Sequence, residues 1–189
     1  MVNTFVFMGL PGAGKGKQSE LLHSKTGFFI HSTGNEYRKM ASAIGFVAEK
    51  IAQVMNKGGL QPAWLSSYLF QKSLLELDRE TGIIFEGVGR KEPEAKLFTE
   101  VCEWLERDFR IINLIVSEET AKERLNKRKE IEGRNDDNPE ILSERFRNYY
   151  ESTAPALEYF RSVGKVIDID GEPLPDEVSA QVSEKISDI

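Results

Sequence analysis

A glycine-rich loop that contains a single lysine lies near the start of the chain. It reads Gly9-Leu10-Pro11-Gly12-Ala13-Gly14-Lys15-Gly16 and stands between an apolar run and a segment with helical spacing. Glycines let the backbone curl so that successive N–H groups point at phosphate oxygens, and the start of the following helix adds partial positive charge. A lysine at this place in such a loop reaches the phosphates of a nucleoside triphosphate. The loop therefore predicts a nucleotide phosphate site centred on Lys15.

Four arginines in the second half of the chain suit the same chemistry. A phosphoryl group in transfer spreads negative charge over its oxygens, so positioned cations stabilise the transition state. Arg124 and Arg128 are four residues apart and project from one face of a predicted helix. Arg134 lies in a polar loop, and Arg145 lies in the next predicted helix. The alternative is a solvated basic face whose arginines pair with neighbouring glutamates.

Short apolar runs alternate with longer helical ones along the chain. We predict strands at 3–8, 28–31, 83–85, 110–116 and 165–169. Helices are predicted at 16–25, 33–57 with a break near Gly45, 62–80, 93–106, from about 117 to 130, 138–162 and 176–186. The segment Asn138-Pro139-Glu140 is a strong helix start, with a cap, a first-turn proline and an acid. Alternating strands and helices indicate an α/β fold whose parallel sheet is covered on both faces.

Composition limits the classes of protein that the chain can be. It has 189 residues, 40% of them hydrophobic, and a net charge of −6, which indicates a globular domain and disfavours a general nucleic-acid binder. Cys102 is the single cysteine, so no disulfide forms within the chain and we expect a reducing, cytoplasmic location. The apolar start lacks a basic region before it and is interrupted by Gly9 and Pro11, so we expect that it is neither a signal peptide nor a membrane span.

The motifs resemble, in their order along the chain, those of the adenylate kinase family. The glycine loop is similar to that family's phosphate loop, including the glycine after the lysine. Residues 32–38 resemble the start of its monophosphate segment, and residues 86–90 resemble its Asp-Gly-Phe-Pro-Arg motif. Residues 133–138 resemble its short lid, which lacks cysteine and so predicts no structural zinc. The resemblance covers essentially the whole chain and implies a P-loop three-layer fold with a five-stranded parallel sheet.

The resemblance also implies a division of the chain and a role for each site residue. It implies a single nucleoside monophosphate kinase domain with a core at 1–32, 60–130 and 139–189, a helical monophosphate-binding insert at 33–59 and a short lid at 131–138. The expected ATP-binding residues are Gly12, Ala13, Gly14, Lys15, Gly16, Lys17, Arg124 and Gly171. The expected monophosphate-binding residues are Thr33, Arg38, Gly59, Gly87, Arg90, Glu94, Arg134 and Arg145. The expected catalytic residues are Lys15, Arg90, Arg128, Arg134 and Arg145.

Three residues depart from the family pattern where it holds the water shell of Mg²⁺. Lys17 stands in place of a threonine, and it either replaces part of the metal's charge or points into solvent. Asn35 and Glu86 each stand in place of an aspartate and still accept hydrogen bonds. Mg²⁺ keeps most of its waters and depends on such outer acceptors. We therefore expect no direct protein ligand to the ion, with Glu86 and Asn35 as candidates for its water shell.

Another departure concerns the base of the acceptor nucleotide. Glu94 replaces the glutamine that reads the AMP base in the family. An amide offers one donor and one acceptor, which matches N6 and N1 of adenine, whereas a carboxylate only accepts and suits the adjacent donors of guanine. The alternative is that Glu94 serves as an acid in the first turn of a helix.

The resemblance implies reversible transfer of the ATP γ-phosphoryl group to a nucleoside monophosphate, with AMP as the first choice and Mg²⁺ as the required ion. We expect nucleotides as partners, no nucleic acid or membrane, and a monomer. A kinase for GMP, CMP or UMP is one alternative, and a non-catalytic nucleotide-binding protein is another. The altered positions motivate both alternatives: Lys17, Asn35, Glu86, Gly89 and Glu94. Trp64 and Trp104 are expected in the core.

Overall fold

Five parallel strands form the centre of the molecule in the computed structural model, which describes residues 2–132 and 138–187. The strands are β1 (Thr4–Gly9), β2 (Phe29–Ser32), β3 (Ile83–Glu86), β4 (Phe109–Ile115) and β5 (Val166–Asp170). Their order is β2-β3-β1-β4-β5, and every neighbouring pair is parallel. The predicted α/β fold with a five-stranded parallel sheet is confirmed, and each strand lies within a residue of its expected bounds.

Helices follow the strands and cover both faces of the sheet. They are α1 (Lys15–Thr26), α2 (Thr33–Ala41), α3 (Phe46–Met55), α4 (Ala63–Leu75), α5 (Glu92–Trp104), α6 (Glu118–Glu132), α7 (Pro139–Asn148), α8 (Ala154–Ser162) and α9 (Pro175–Ser187). A π-helical turn, Tyr149–Thr153, joins α7 to α8, so the helix predicted from 138 to 162 is continuous but locally wider. The helix predicted from 62 to 80 ends at Leu75 instead, because its buried side ends with Leu74 and mainly charged residues follow.

The sheet separates two hydrophobic clusters. In β1, Phe5 and Phe7 join the first cluster, and Val6 and Met8 join the second, as the alternation of side chains along a strand requires. Helices α1, α6, α7 and α9 supply side chains to the first cluster, and α4, α5 and α8 supply side chains to the second.

Both tryptophans lie outside this core, so their expected burial was wrong. Trp64 is 69% exposed and Trp104 is 77% exposed. Helix α4 turns Phe70 towards the sheet, and α5 turns Phe98 towards it. The phenylalanines occupy the core faces of their helices, so each indole is left on a solvent face.

The strand order places one end of the sheet in position to bind a ligand. The central strand β1 has β3 on one side and β4 on the other, and at its carboxyl end the chain enters the glycine loop. Open α/β sheets bind ligands at the point where the strand order reverses. Helices α2 and α3, which pack against each other after β2, occupy most of the segment expected to be the insert. None of the described helices is long and apolar enough to cross a membrane.

Candidate active site

The phosphate loop folds tightly between β1 and α1 because Gly9, Gly12 and Gly14 have positive φ angles that other residues rarely adopt. Gly12 has a φ of +90°, and a Cβ built there would lie 2.4 Å from the carbonyl oxygen of Ala121. Gly14 has a φ of +94° and forms the N-terminal cap of α1 without a side-chain hydrogen bond. Glycine has no side chain to accept a hydrogen bond from the first N–H groups of α1. Those N–H groups point towards the loop, as they do at helix N-termini that bind phosphate.

Lys15 turns back over this loop and lies among other cations. Its Nζ donates hydrogen bonds to the carbonyl oxygens of Gly9, at 2.9 Å, and Leu10, at 2.7 Å. Burial first, and then the charges of Arg90, Arg145 and Arg128, lower the pKa of Lys15 to about 7 against the opposing effect of Glu86. A nucleotide phosphate would supply the anion that this ammonium group needs, so the loop is poised for one.

Seven of the residues expected to bind the monophosphate line one cavity beside the loop. They are Thr33, Arg38, Gly59, Gly87, Arg90, Glu94 and Arg145. The eighth, Arg134, lies outside the described residues, as does most of the lid expected at 131–138. Since these seven come from four separate stretches of the sequence, their convergence is a result of the fold.

Two features of this cavity suit an anionic ligand with polar groups. Burial, and then the charge of Arg145, lowers the pKa of Arg90 to about 10, so two guanidinium groups lie close together in the cavity. The hydroxyl of Thr33 is buried and has no hydrogen-bond partner within the described parts of the chain. Such a group usually marks a place for a ligand or water.

Glu94 is one of the most deeply buried acids of the described chain, with 3% of its surface exposed. Its Oε2 accepts hydrogen bonds from the backbone N–H of Arg90, at 3.0 Å, and from the hydroxyl of Ser66, at 3.4 Å. Burial raises the pKa of this carboxyl group. The side chain therefore lines the cavity while it also binds the turn that precedes α5. A role at the acceptor base and a role in the first turn of the helix are compatible.

The residues expected to border the ATP base also lie together. Arg124 on α6 donates to the carbonyl oxygens of Gly171 and Glu172, both at 2.9 Å. A Cβ at Gly171 would lie 2.8 Å from Cγ1 of Val116, so the backbone there packs closely against the end of β4. The guanidinium of Arg124 is thereby held on the turn after β5, beside the phosphate loop.

The three positions that depart from the family near Mg²⁺ have different surroundings. The Glu86 carboxylate lies within 3.9 Å of the point where a Cβ on Gly16 would be, so it faces the start of α1. The amide oxygen of Asn35 accepts a hydrogen bond from Arg38, and Lys17 is exposed on the first turn of α1. Glu86 is thus an acidic side chain that faces the phosphate loop.

Sequence reasoning missed three polar residues of the cavity: Tyr37, Gln61 and Ser66. The amide of Gln61 donates to the carbonyl oxygen of Ile51 at 2.9 Å, which joins the cavity wall to α3. Burial raises the pKa of Tyr37 to about 12, so its hydroxyl stays neutral. Ser66 interrupts the apolar residues of α4, and this break in the pattern was the one signal available.

Comparison with known proteins agrees with this geometry. A family model described as adenylate kinase matches residues 7–165. The chain belongs to the adenylate kinase family. A protein named adenylate kinase from Hyphomonas neptunium is 33% identical over 178 residues, 94% of each chain. Proteins of the same name from Azobacteroides pseudotrichonymphae and Rhodopirellula baltica are 33% and 35% identical, over 100% and 95% of this chain and 99% and 92% of their own.

Membership of the adenylate kinase family confirms the class of activity expected from the motifs. The chain is a nucleotide-binding phosphotransferase of that family. The match begins within β1 and ends at the residue before β5, so it includes the phosphate loop, the cavity and the arginine helices.

Proposed function

We propose that this adenylate kinase family member transfers the γ-phosphoryl group of ATP reversibly to AMP, which yields two molecules of ADP. The observation that carries the proposal is a group of cations formed by Lys15 of the phosphate loop with Arg90 and Arg145 of the neighbouring cavity. The phosphates of both nucleotides would offset the mutual repulsion of these cations. The choice of AMP is supported by the relatives named adenylate kinase.

The proposed reaction needs no protein nucleophile. An oxygen of the AMP phosphate forms a bond to the γ-phosphorus of ATP, and the bond from that phosphorus to the β–γ bridging oxygen breaks, so ADP leaves. Lys15 and the loop N–H groups hold the ATP phosphates, while Arg90 and Arg145 hold the acceptor phosphate in line with them. We assign Arg128 and Arg134 to the transferred group, where added positive charge lowers the barrier.

The surroundings of the loop fit Mg²⁺ held through its water shell. Glu86 offers a carboxylate beside Gly16, whereas the described residues contain no group of three or more acidic, histidine or cysteine side chains that could enclose a metal. When bound, Mg²⁺ would neutralise charge on the ATP phosphates. Glu86, and Asn35 if it leaves Arg38, would accept hydrogen bonds from its waters.

A coupled assay with ATP and each of AMP, GMP, CMP and UMP tests the proposal. We expect AMP to give the highest kcat/KM, and Lys15→Met to abolish turnover while circular dichroism shows an unchanged fold. The buried carboxylate of Glu94 in the cavity favours GMP as the second candidate. Activity with GMP but not AMP would establish that candidate, and nucleotide binding without turnover on any acceptor would instead indicate a non-catalytic protein.

A further inference from the structure

Ser66 and Glu94 form a polar pair on the wall of the acceptor cavity. They come from different helices, α4 and α5, and are 28 residues apart in the sequence. Both side chains are buried, and both line the cavity that also contains Thr33, Arg38 and Arg90. A hydroxyl and a carboxylate placed side by side in a ligand cavity can read the edge of a base together.

Glu94 alone is a poor reader of adenine. The adenine edge presents a donor, the N6 amino group, next to an acceptor, N1, and a carboxylate only accepts. An unassisted Glu94 would satisfy N6 but would place a lone pair opposite N1. When Glu94 is ionised, the hydrogen for N1 must come from a second group in the same wall.

The geometry leaves both members of the pair available to a ligand. The bond from the Ser66 hydroxyl to Oε2 of Glu94 is 3.4 Å long, well beyond the usual length for O–H···O, so the hydroxyl loses little when it turns to another acceptor. Oε2 keeps the backbone N–H of Arg90 as a donor. The carboxylate also receives a backbone hydrogen bond from Lys91, and its two oxygens have lone pairs left for a further donor.

We propose that Ser66 is a base-reading residue of the acceptor site: its hydroxyl donates to N1 of adenine while Glu94 accepts from the N6 amino group. The pair then provides the donor and acceptor that an amide side chain would provide alone. This inference rests on the proposed function, because it takes AMP as the acceptor. The base specificity of the site then depends on Ser66 of α4, a residue that belongs to none of the sequence motifs.

The decisive variants are Ser66→Ala and the double variant Ser66→Ala with Glu94→Gln. Ser66→Ala should lower kcat/KM for AMP about 10- to 100-fold, mainly through KM, because N1 then faces a carboxylate without a donor. Adding Glu94→Gln should restore most of this loss, because the amide supplies its own donor. Ser67→Ala is the matched control, since Ser67 is buried on the same helix but lies outside the cavity.

Three measurements on each purified variant decide the question: melting temperature, kinetics with AMP and kinetics with GMP. The proposal is overturned if Ser66→Ala and Ser67→Ala have equal AMP kinetics, or if the Ser66→Ala loss is the same for GMP and is not reversed by Glu94→Gln, as a purely structural role would give. A wild-type enzyme that uses GMP and not AMP would overturn the proposed acceptor as well. Wild-type activity on AMP with insensitive Ser66 variants would leave the proposed function standing and remove this inference alone.

Discussion

Binding of a bisubstrate dinucleotide, in which a phosphate chain joins two adenosines, should draw about one proton from solution at pH 8. The pKa of Lys15 in the free protein is lowered to about 7 by burial and by its arginine neighbours. At pH 8 only about one tenth of the molecules then carry a charged Lys15. Phosphates bound at the loop favour the ammonium form, so the bound state holds about 0.9 more protons than the free state.

The sign and size of the pH effect follow from this uptake. Because the complex binds more protons than the free protein, affinity should fall as the pH rises above 7. The charged fraction of Lys15 drops about 50-fold between pH 7 and pH 9, which is equivalent to about 2 kcal/mol of binding free energy. The bridging phosphates of the dinucleotide have no proton to exchange in this range, so the change belongs to the protein.

Isothermal titration calorimetry in buffers of different ionisation enthalpy measures the proton uptake directly. The slope of the binding enthalpy against the buffer enthalpy should be close to one at pH 8 and about half that at pH 7. Lys15→Met should bind more weakly and give a slope near zero, while Lys72→Met, a change at an exposed residue of α4, should leave the slope unchanged. Tight binding with a slope below about 0.2 at pH 8 would refute the account of Lys15.

Three further predictions test other parts of the site. Gly12→Ala should weaken ATP binding at least tenfold and lower the melting temperature. The reason is that its Cβ would lie 2.4 Å from the carbonyl oxygen of Ala121, at a φ of +90°. An unaltered ATP affinity would contradict the loop geometry. Glu86→Gln should raise the Mg²⁺ concentration for half-maximal activity about 10-fold or more, and Asn35→Ala much less, because Arg38 holds its oxygen; equal effects would reject the distinction. Arg124→Met should raise KM for ATP and leave KM for AMP unchanged in steady-state kinetics.

The phosphate loop and the strands could be predicted because their signals are local. Glycine spacing, a lysine and an adjacent apolar run are sufficient to predict the turn from β1 into α1. The helix start at Asn138-Pro139 was read correctly for the same reason, since α7 begins at Pro139 with Asn138 as its cap. In both cases the residues that determine the conformation are the residues that adopt it.

The wall of the acceptor cavity could not be predicted in the same way. Whether Glu94 faces a ligand or solvent depends on how α5 packs on α4, and its partner Ser66 is far away in the sequence. The exposure of Trp64 and Trp104 has a related cause, because helices α4 and α5 have other aromatic residues that fill the core. Tertiary packing determines which face of each helix is buried, and a single sequence shows this only indirectly.

The π-helical turn between α7 and α8 constrains how the length of this protein can change in evolution. Helix α7 places Phe146 in one hydrophobic cluster, and α8 places Phe160 in the other. Each residue of a helix advances the chain by about 100° around the axis, and a π turn contains an extra residue. Because the wider turn takes up the extra residue, loss of one residue here would return the turn to α-helical geometry and keep Phe146 and Phe160 in their clusters. Loss of one residue elsewhere in α7 or α8 would instead rotate part of the helix by about 100° and turn one of these side chains out of its cluster. The π-helical turn is therefore the place where the length of this segment can change with least disturbance of the core.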